Sequence, residues 1–267
     1  MHKIETIFLG LVQGMTEFLP ISSSGHLVIF KNFLGIKEPE LLLDCSLHLG
    51  TLLAVCLFFR DDLKNMIRDI CSMDFKTPYA SLAGWVLVGT LPTASIGFFF
   101  EDFFEQRFGS ISGVGVMLLV TGIMLIIPRI VMLGKKATSA AHGGRIRVGL
   151  LAALAVGAAQ GLAIMPGISR SGTTIVVGLL CGLERDLAGR FSFLLAIPAI
   201  VGAVVLQFNA EALTKIGVVP LMLGFVTSAL VGYFALRILM PMVRKGHLHY
   251  FAPYCWAVGF MVLILSW

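Results

Sequence analysis

The chain has 267 residues, of which 57% are hydrophobic and only 13% charged, and its formal net charge is +5. Globular domains run to roughly 45–50% apolar and about 25% charged residues, so a water-soluble fold of this composition would lack the polar surface to cover itself. Disorder, a collagen-like repeat and a disulfide scaffold are excluded by the same figures. The sequence reads as an all-α integral membrane protein.

The chain opens on an apolar region, 4–34, with no small-residue cleavage site, so its N-terminus is expected to belong to the mature fold. That region is broken in its middle by Phe18-Leu-Pro-Ile-Ser-Ser-Ser-Gly-His26. Three unbroken apolar stretches follow, 41–59, 79–100 and 111–133, each near the roughly 20 residues that a bilayer crossing needs. The Phe-rich segment 98–108, with Glu101, Asp102 and Glu105, reads as an amphipathic interfacial piece. After a polar stretch at 134–147 comes a second broken region, 148–183, centred on Pro166-Gly-Ile-Ser-Arg-Ser-Gly-Thr-Thr174. Three more crossings are predicted at 191–208, 218–240 and 251–267. Non-helical backbone at membrane depth survives only inside protein or beside a water-filled cavity. Both broken regions are therefore predicted to be re-entrant helix–loop–helix hairpins that enter and leave on one side.

With the hairpins counted as non-crossing, the loops 60–78, 134–147, 184–190 and 241–250 share one side. Together with Arg129 and Arg237 at the adjoining helix ends they hold fourteen of the twenty Lys and Arg residues, against five on the other side, with Arg170 left over. By the positive-inside rule the richer side is cytoplasmic and both termini face outward. The basic charge then belongs to cytoplasmic loops, and no nucleic-acid partner is expected. The five cysteines form no C-x-x-C pattern and are expected to act as small hydrophobes.

A shift of 147 residues aligns the two broken regions without a gap. Gly10, Gln13 and Gly14 fall on Gly157, Gln160 and Gly161, while Ile21, Ser22, Ser24 and Gly25 fall on Ile168, Ser169, Ser171 and Gly172. The chain is thus read as a single membrane domain of two halves, 1–133 and 148–267, joined by a cytoplasmic linker at 134–147. Each half is one hairpin plus three crossings, an odd number, so the second half is predicted to be inverted relative to the first. In such a plan broken helices from opposite faces meet near the midplane. The G-x-x-x-G pairs, Gly10/Gly14 and Gly157/Gly161, read as close helix packing.

Ionisable groups at membrane depth cost about 2.5–3.5 kcal/mol each on insertion scales; here Glu17, His26 and Arg170 collect around the two loops. The second loop combines Gly167, Ser169, Arg170, Ser171, Gly172, Thr173 and Thr174 at a helix start. Glycine admits close backbone approach, the helix aims free N–H groups at the loop, and arginine brings a planar donor fork. That is a phosphate cradle. In the first loop Ser22 and Ser24 are candidate substrate contacts, and Ser23 with His26 reads as a nucleophile and its base or orienting group. Glu17 shares a helix face with Gln13, which suits a divalent cation, a general base, or an ion pair with Arg170. Asp44 and His48, four residues apart, are expected to pair or to support the site from behind; His142, His247 and His249 lie in basic loops. Two function classes fit: a phosphatase, and a transporter or flippase of a phosphorylated polyprenyl lipid. A transporter needs Arg170 but has no use for Glu17, Ser23 and His26 together, so the enzyme is favoured.

Over essentially its whole length the sequence resembles the BacA-type undecaprenyl-diphosphate phosphatases of bacteria. The likeness is carried by Gln13-Gly-Met-Thr-Glu17, which continues to His26, and by Pro166 to Thr174, with Leu47-His-Leu-Gly-Thr-Leu-Leu-Ala-Val55 and Phe191-Ser-Phe-Leu-Leu-Ala-Ile-Pro198 in support. The resemblance implies hydrolysis of the terminal phosphate of undecaprenyl diphosphate, an inverted-repeat fold in the cell membrane, a site open to the outer face, and an association with bacitracin resistance. It implies Glu17 as the essential carboxylate, Ser23 as candidate nucleophile, His26 as proton-transfer assistant and Arg170 as diphosphate ligand, with Ser169, Ser171 and Thr174 around it; attack by Ser23 and direct attack by water both fit the sequence. A divalent cation, Mg²⁺ or Ca²⁺, is implied as well. Gln13 stands where a two-carboxylate metal site would hold Glu, leaving the diphosphate to supply the missing charge. Besides the lipid substrate and surrounding membrane lipids no partner is indicated, and a homodimer is compatible with the sequence.

Overall fold

The computed structural model describes residues 3–36, 41–100, 103–104, 106, 110–132, 148–207 and 217–266. The linker at 134–147 with His142, and Glu101, Asp102 and Glu105, lie outside them. Among the described residues the structure is helical: α1 Lys3–Phe18, α2 Ser23–Phe33, α3 Leu41–Phe58, α4 Arg60–Cys71, α5 Pro78–Phe99, α6 Ile111–Met132, α7 Leu150–Leu162, α8 Arg170–Leu180, α9 Arg185–Gln207, α10 Val218–Lys245, a 3₁₀ turn Leu248–Phe251, and α11 Ala252–Leu265. Six helices are long and apolar enough to cross a membrane, α3, α5, α6, α9, α10, and α11 with its leading turn. Many of their large apolar side chains, Leu87, Leu91 and Phe234 among them, are exposed on the outside of the bundle, as a lipid-facing surface requires. The chain is a multi-pass membrane protein.

Three predicted loops turn out to be helical. Residues 60–71 form α4, whose charged groups Arg60, Asp61, Lys64 and Arg68 ride on one side while Met66 and Asp69 are buried. Residues 185–190 of the predicted loop 184–190 are the first turn and a half of α9, and α10 runs on past 240 to Lys245. All three are amphipathic, so apolar run length underestimates them. At the α4–α9 contact Arg190 pairs with Asp62, and burial pushes the Asp62 carboxyl up against the pull of that guanidinium.

Each broken region is two short helices around a turn. α1 stops at Phe18 because Pro20 removes a backbone donor and forces Leu19 out of the helical region. Ser22 then caps α2 with φ 68°, its Oγ accepting from the Gly25 N–H at 3.2 Å. A serine in the left-handed region costs on the order of 1–3 kcal/mol and persists only where its surroundings over-determine it. Here Ser22 Oγ also accepts from the N–H of Gly167 at 3.0 Å. In the second region Pro166-Gly167 ends the turn after α7, and Ser169 caps α8, accepting from the Gly172 N–H at 3.1 Å. Gly167 has φ +96°, and a Cβ there would stand 2.6 Å from Val114 O and Met117 Cβ.

Packing is reciprocal between the two halves. α1 and α3 both lie along α10 and α7 lies along α5, while α6 pairs with α11 and α3 also meets α9. Gly10 and Gly14 face α10, and Gly157 and Gly161 face α5, so both G-x-x-x-G pairs serve close helix approach. Thr93 seals the second contact by donating to Gly157 O at 2.8 Å. A Cβ on Gly157 would fall on the Gly89 carbonyl. Gly157→Ala is accordingly expected to destabilise the fold by about 1–3 kcal/mol, read as a lowered thermal midpoint in detergent. Gly84→Ala, where a Cβ meets nothing within 4 Å, is the neutral control.

Candidate active site

The turns of the two broken regions touch. Besides the bond from Gly167 N–H to Ser22 Oγ, Gly25 and Gly167 are so close that a Cβ on Gly25 would stand 3.0 Å from the Gly167 backbone. Each turn is held from behind by a long helix: Thr121 of α6 donates to Gly167 O at 2.8 Å, and Cys255 of α11 directs its thiol to Pro20 O at 3.6 Å. Thr121 Oγ also accepts from the Ser169 N–H at 3.1 Å. The contact places the end of α1, the start of α2 and the start of α8 around one polar centre.

Glu17 is that centre. Its side chain is only 5% exposed, and both carboxylate oxygens are engaged. Oε2 accepts from Ser23 Oγ at 2.5 Å and from Gln13 Nε2 at 3.0 Å, and Oε1 accepts from Arg170 Nη2. His48 brings Nε2 to 3.9 Å of Oε2. A carboxylate buried at this depth is tolerated because a guanidinium and two neutral donors replace its water. Two polar atoms of the group find no hydrogen-bond partner among the described residues: Arg170 Nη1 and Gln13 Oε1. An unused N–H beside a hydroxyl and a carboxylate is a place for an anion.

The expected pairing of Ser23 with His26 does not form: the Ser23 hydroxyl donates its hydrogen bond to Glu17. His26 Nδ1 lies 2.7 Å from Ser22 O, an atom that can only accept, so Nδ1 carries the hydrogen. In the neutral ring Nε2 is then the acceptor, and it takes the hydroxyl of Tyr254 at 2.8 Å. The two rings are nearly parallel, at 9° with centroids 5.7 Å apart. Tyr254 lies in an apolar span with nothing in its sequence surroundings to mark it, and α11 delivers it to α2 only in the fold. Asp44 and His48 also part company. Asp44 binds Lys31 at 2.6 Å, while the His48 ring meets the Asp44 main-chain carbonyl and turns its other nitrogen towards Glu17.

The hydroxyls of the second turn are largely committed to the framework. Ser169 and Ser171 lie 3.3 Å apart, and Thr174 meets Ser192 at 2.5 Å as well as its own helix carbonyls. Thr173 is buried and reaches Met124. Gly172 is where α8 comes close to Pro20. Ser22 clasps the two turns, with Ser24 Oγ 3.4 Å from its own. These residues shape the turns, whereas Ser23 and Arg170, both half-buried, are the groups beside Glu17 that keep some exposure. No cluster of three or more His, Cys, Asp or Glu with metal-ligand geometry occurs among the described residues.

Tyr254→Phe removes the donor to His26 Nε2 and leaves the ring stack. If that hydroxyl positions His26 for proton transfer, the variant is expected to lower kcat about tenfold with little change in KM, and to move the alkaline limb of the pH–rate profile. An unchanged profile would reduce Tyr254 to a packing residue.

The chain is 44% identical over 270 residues to the undecaprenyl-diphosphatase of Halothermothrix orenii, covering 100% of this chain and 99% of that one. It is 44% identical over 282 residues to the undecaprenyl-diphosphatase of Desulfatibacillum aliphaticivorans and 42% identical over 271 residues to that of Carboxydothermus hydrogenoformans, again end to end. The family model described as bacitracin resistance protein BacA matches residues 6–261, and the chain belongs to that family.

Proposed function

We propose that the chain hydrolyses undecaprenyl diphosphate, releasing the terminal phosphate and leaving undecaprenyl phosphate, the lipid carrier of cell-wall synthesis. The observation that carries this reading is one carboxylate, Glu17, that holds a serine hydroxyl on one oxygen and an arginine on the other. A diphosphate entering the pocket draws Arg170 from Glu17 onto phosphate oxygens, using the unpaired Nη1–H as well. Glu17 thereby loses its strongest partner and becomes a better base just where Ser23 is bound to it. Ser23 passes its proton to Glu17 and attacks the terminal phosphorus. The bond from that phosphorus to the bridging oxygen breaks, and undecaprenyl phosphate leaves with the proton that Glu17 took from Ser23. The carboxylate so restored deprotonates a water, which attacks the phosphoserine, and Glu17 hands that proton to Ser23 Oγ as inorganic phosphate leaves. Arg170 and the first-turn N–H groups of α2 and α8 stabilise charge on the transferring group, which supplies most of the catalysis in phosphoryl transfer. His26 and Tyr254 are hydrogen-bonded to each other beside this centre, and the phenol is 44% exposed.

A divalent cation, Mg²⁺ or Ca²⁺, fits through one adjustment. Gln13 now turns Nε2 to Glu17 and leaves Oε1 without a partner; flipping the amide sets an oxygen beside the carboxylate. Glu17, Gln13 and substrate phosphates would then hold the ion, which would neutralise phosphate charge.

The reading includes two re-entrant hairpins in inverted halves, 1–133 and 148–267, with termini and pocket on the outer face. Reciprocal packing of α1 on α10 and α7 on α5, and the matching Ser22 and Ser169 caps, support the repeat. The charge asymmetry of the loops supports the orientation. The hydrogen bond from Ser23 to Glu17 is something a carrier has no need of, so hydrolysis stands ahead of transport. The test is phosphate release from undecaprenyl diphosphate by the purified protein with Mg²⁺ or Ca²⁺. One phosphate and one undecaprenyl phosphate per substrate are expected, and substrate recovered intact from folded protein would overturn the reading.

A further inference from the structure

A second cationic pocket, of about 250 Å³, lies between the end of α6, the end of α8, the start of α9 and the turn after α10. Arg129, Arg185 and His249 line it together with Leu179, Leu248 and Pro128, and no carboxylate is among its lining residues. Leu179 is nine residues along α8 from Arg170, about 14 Å at the α-helical rise, so the pocket is separate from the Glu17 centre.

Its two arginines, both exposed, are not neutralised by a carboxylate. Arg129 has His249 as a hydrogen-bond partner, and neither Arg129 nor Arg185 forms an ion pair among the described residues. Arg129 stands in the last turn of α6, where a cation suits the helix dipole. Arg185 stands at the first residue of α9, where the dipole opposes it. Its guanidinium lies against Gly246, a residue at φ +75° whose Cβ would stand 2.8 Å from the guanidinium carbon. The His249 ring sits between Arg129 and the Gly246 main chain. Two guanidinia around an apolar-walled space call for an anion with several acceptor oxygens.

Depth selects the anion. Arg129 is 18 residues into α6, about 27 Å along the helix, and a hydrocarbon core measures about 30 Å. The pocket therefore sits at the boundary between acyl chains and headgroups, on the side where basic loops gather and where anionic lipids are held by Lys and Arg.

We propose that this pocket binds the phosphate of an anionic phospholipid headgroup, with Arg129 and Arg185 gripping the phosphate oxygens and the apolar walls taking the start of the acyl chains. The proposal is independent of the hydrolysis reading. The test uses native mass spectrometry of the detergent-purified chain with phosphatidylglycerol or phosphatidylcholine added. Wild type is expected to retain phosphatidylglycerol about tenfold better than phosphatidylcholine. Arg129→Gln/Arg185→Gln is expected to lose that preference. Arg60→Gln/Arg68→Gln, which removes the same charge elsewhere, is expected to keep it. Equal retention by the pocket variant and wild type, or equal loss in both variants, would overturn the proposal. Displacement of the lipid by millimolar inorganic phosphate would assign the pocket to free phosphate and overturn the lipid reading. The thermal midpoint and phosphate release of each variant show that it is folded.

Discussion

Arg170→Ala is expected to lower kcat/KM for undecaprenyl diphosphate by about 10³-fold, the lower end of what a charge-stabilising arginine contributes to phosphoryl transfer. The loss has two parts. The diphosphate loses its bidentate ligand, and Glu17 loses the partner whose departure makes it a base. Arg170→Lys is expected to recover little, because a lysine ammonium is a point charge without the fork that reaches Glu17 Oε1 and a phosphate at once. Steady-state phosphate release by the three proteins at matched fold stability checks this. Activity in Arg170→Ala within tenfold of wild type would remove Arg170 from the reacting centre.

Glu17→Gln and Ser23→Ala form the second large effect. Each is expected to cost about 10²–10⁴-fold in kcat, the range of general-base and nucleophile removal. The double variant is expected to be no slower than the worse single one, since Glu17 acts on Ser23 in the first step and on the phosphoserine in the second, and neither exists without Ser23. Independent, multiplying losses would mean that Glu17 does not act through Ser23, and that its 2.5 Å bond to Ser23 is only structural. KM is expected to move little in Ser23→Ala, because Arg170 keeps the diphosphate.

Much of this site was legible in the sequence because membrane depth makes charge expensive. Glu17, His26 and Arg170 stand out against apolar surroundings, and the proline, glycine and serine interruptions mark where the helices break. The 147-residue offset brings the two motifs into register on residue identity alone. What the sequence left open is direction. Ser23 and His26 are three residues apart near one helix start, yet the ring turns away to Ser22 O and Tyr254 while the hydroxyl turns to Glu17. That choice depends on where α11 and α1 arrive. The same holds for Thr121, which fixes Gly167 and Ser169 from a span that reads as plain apolar helix. The serines and threonines of the second turn read as substrate contacts by composition, but their hydroxyls close the turn and pack α8, leaving Arg170 as that turn's one charged side chain towards the pocket. α4 escaped because its helical period is written mostly in charges.

The central claim is that Ser23, held by Glu17, takes the phosphoryl group before water does. The stereochemical course at the transferred phosphorus tests it most directly, using undecaprenyl diphosphate made chiral at its terminal phosphate with isotopic oxygen and sulfur. Two successive in-line displacements predict retention of configuration in the released thiophosphate. Inversion would mean a single attack by water and would contradict the account.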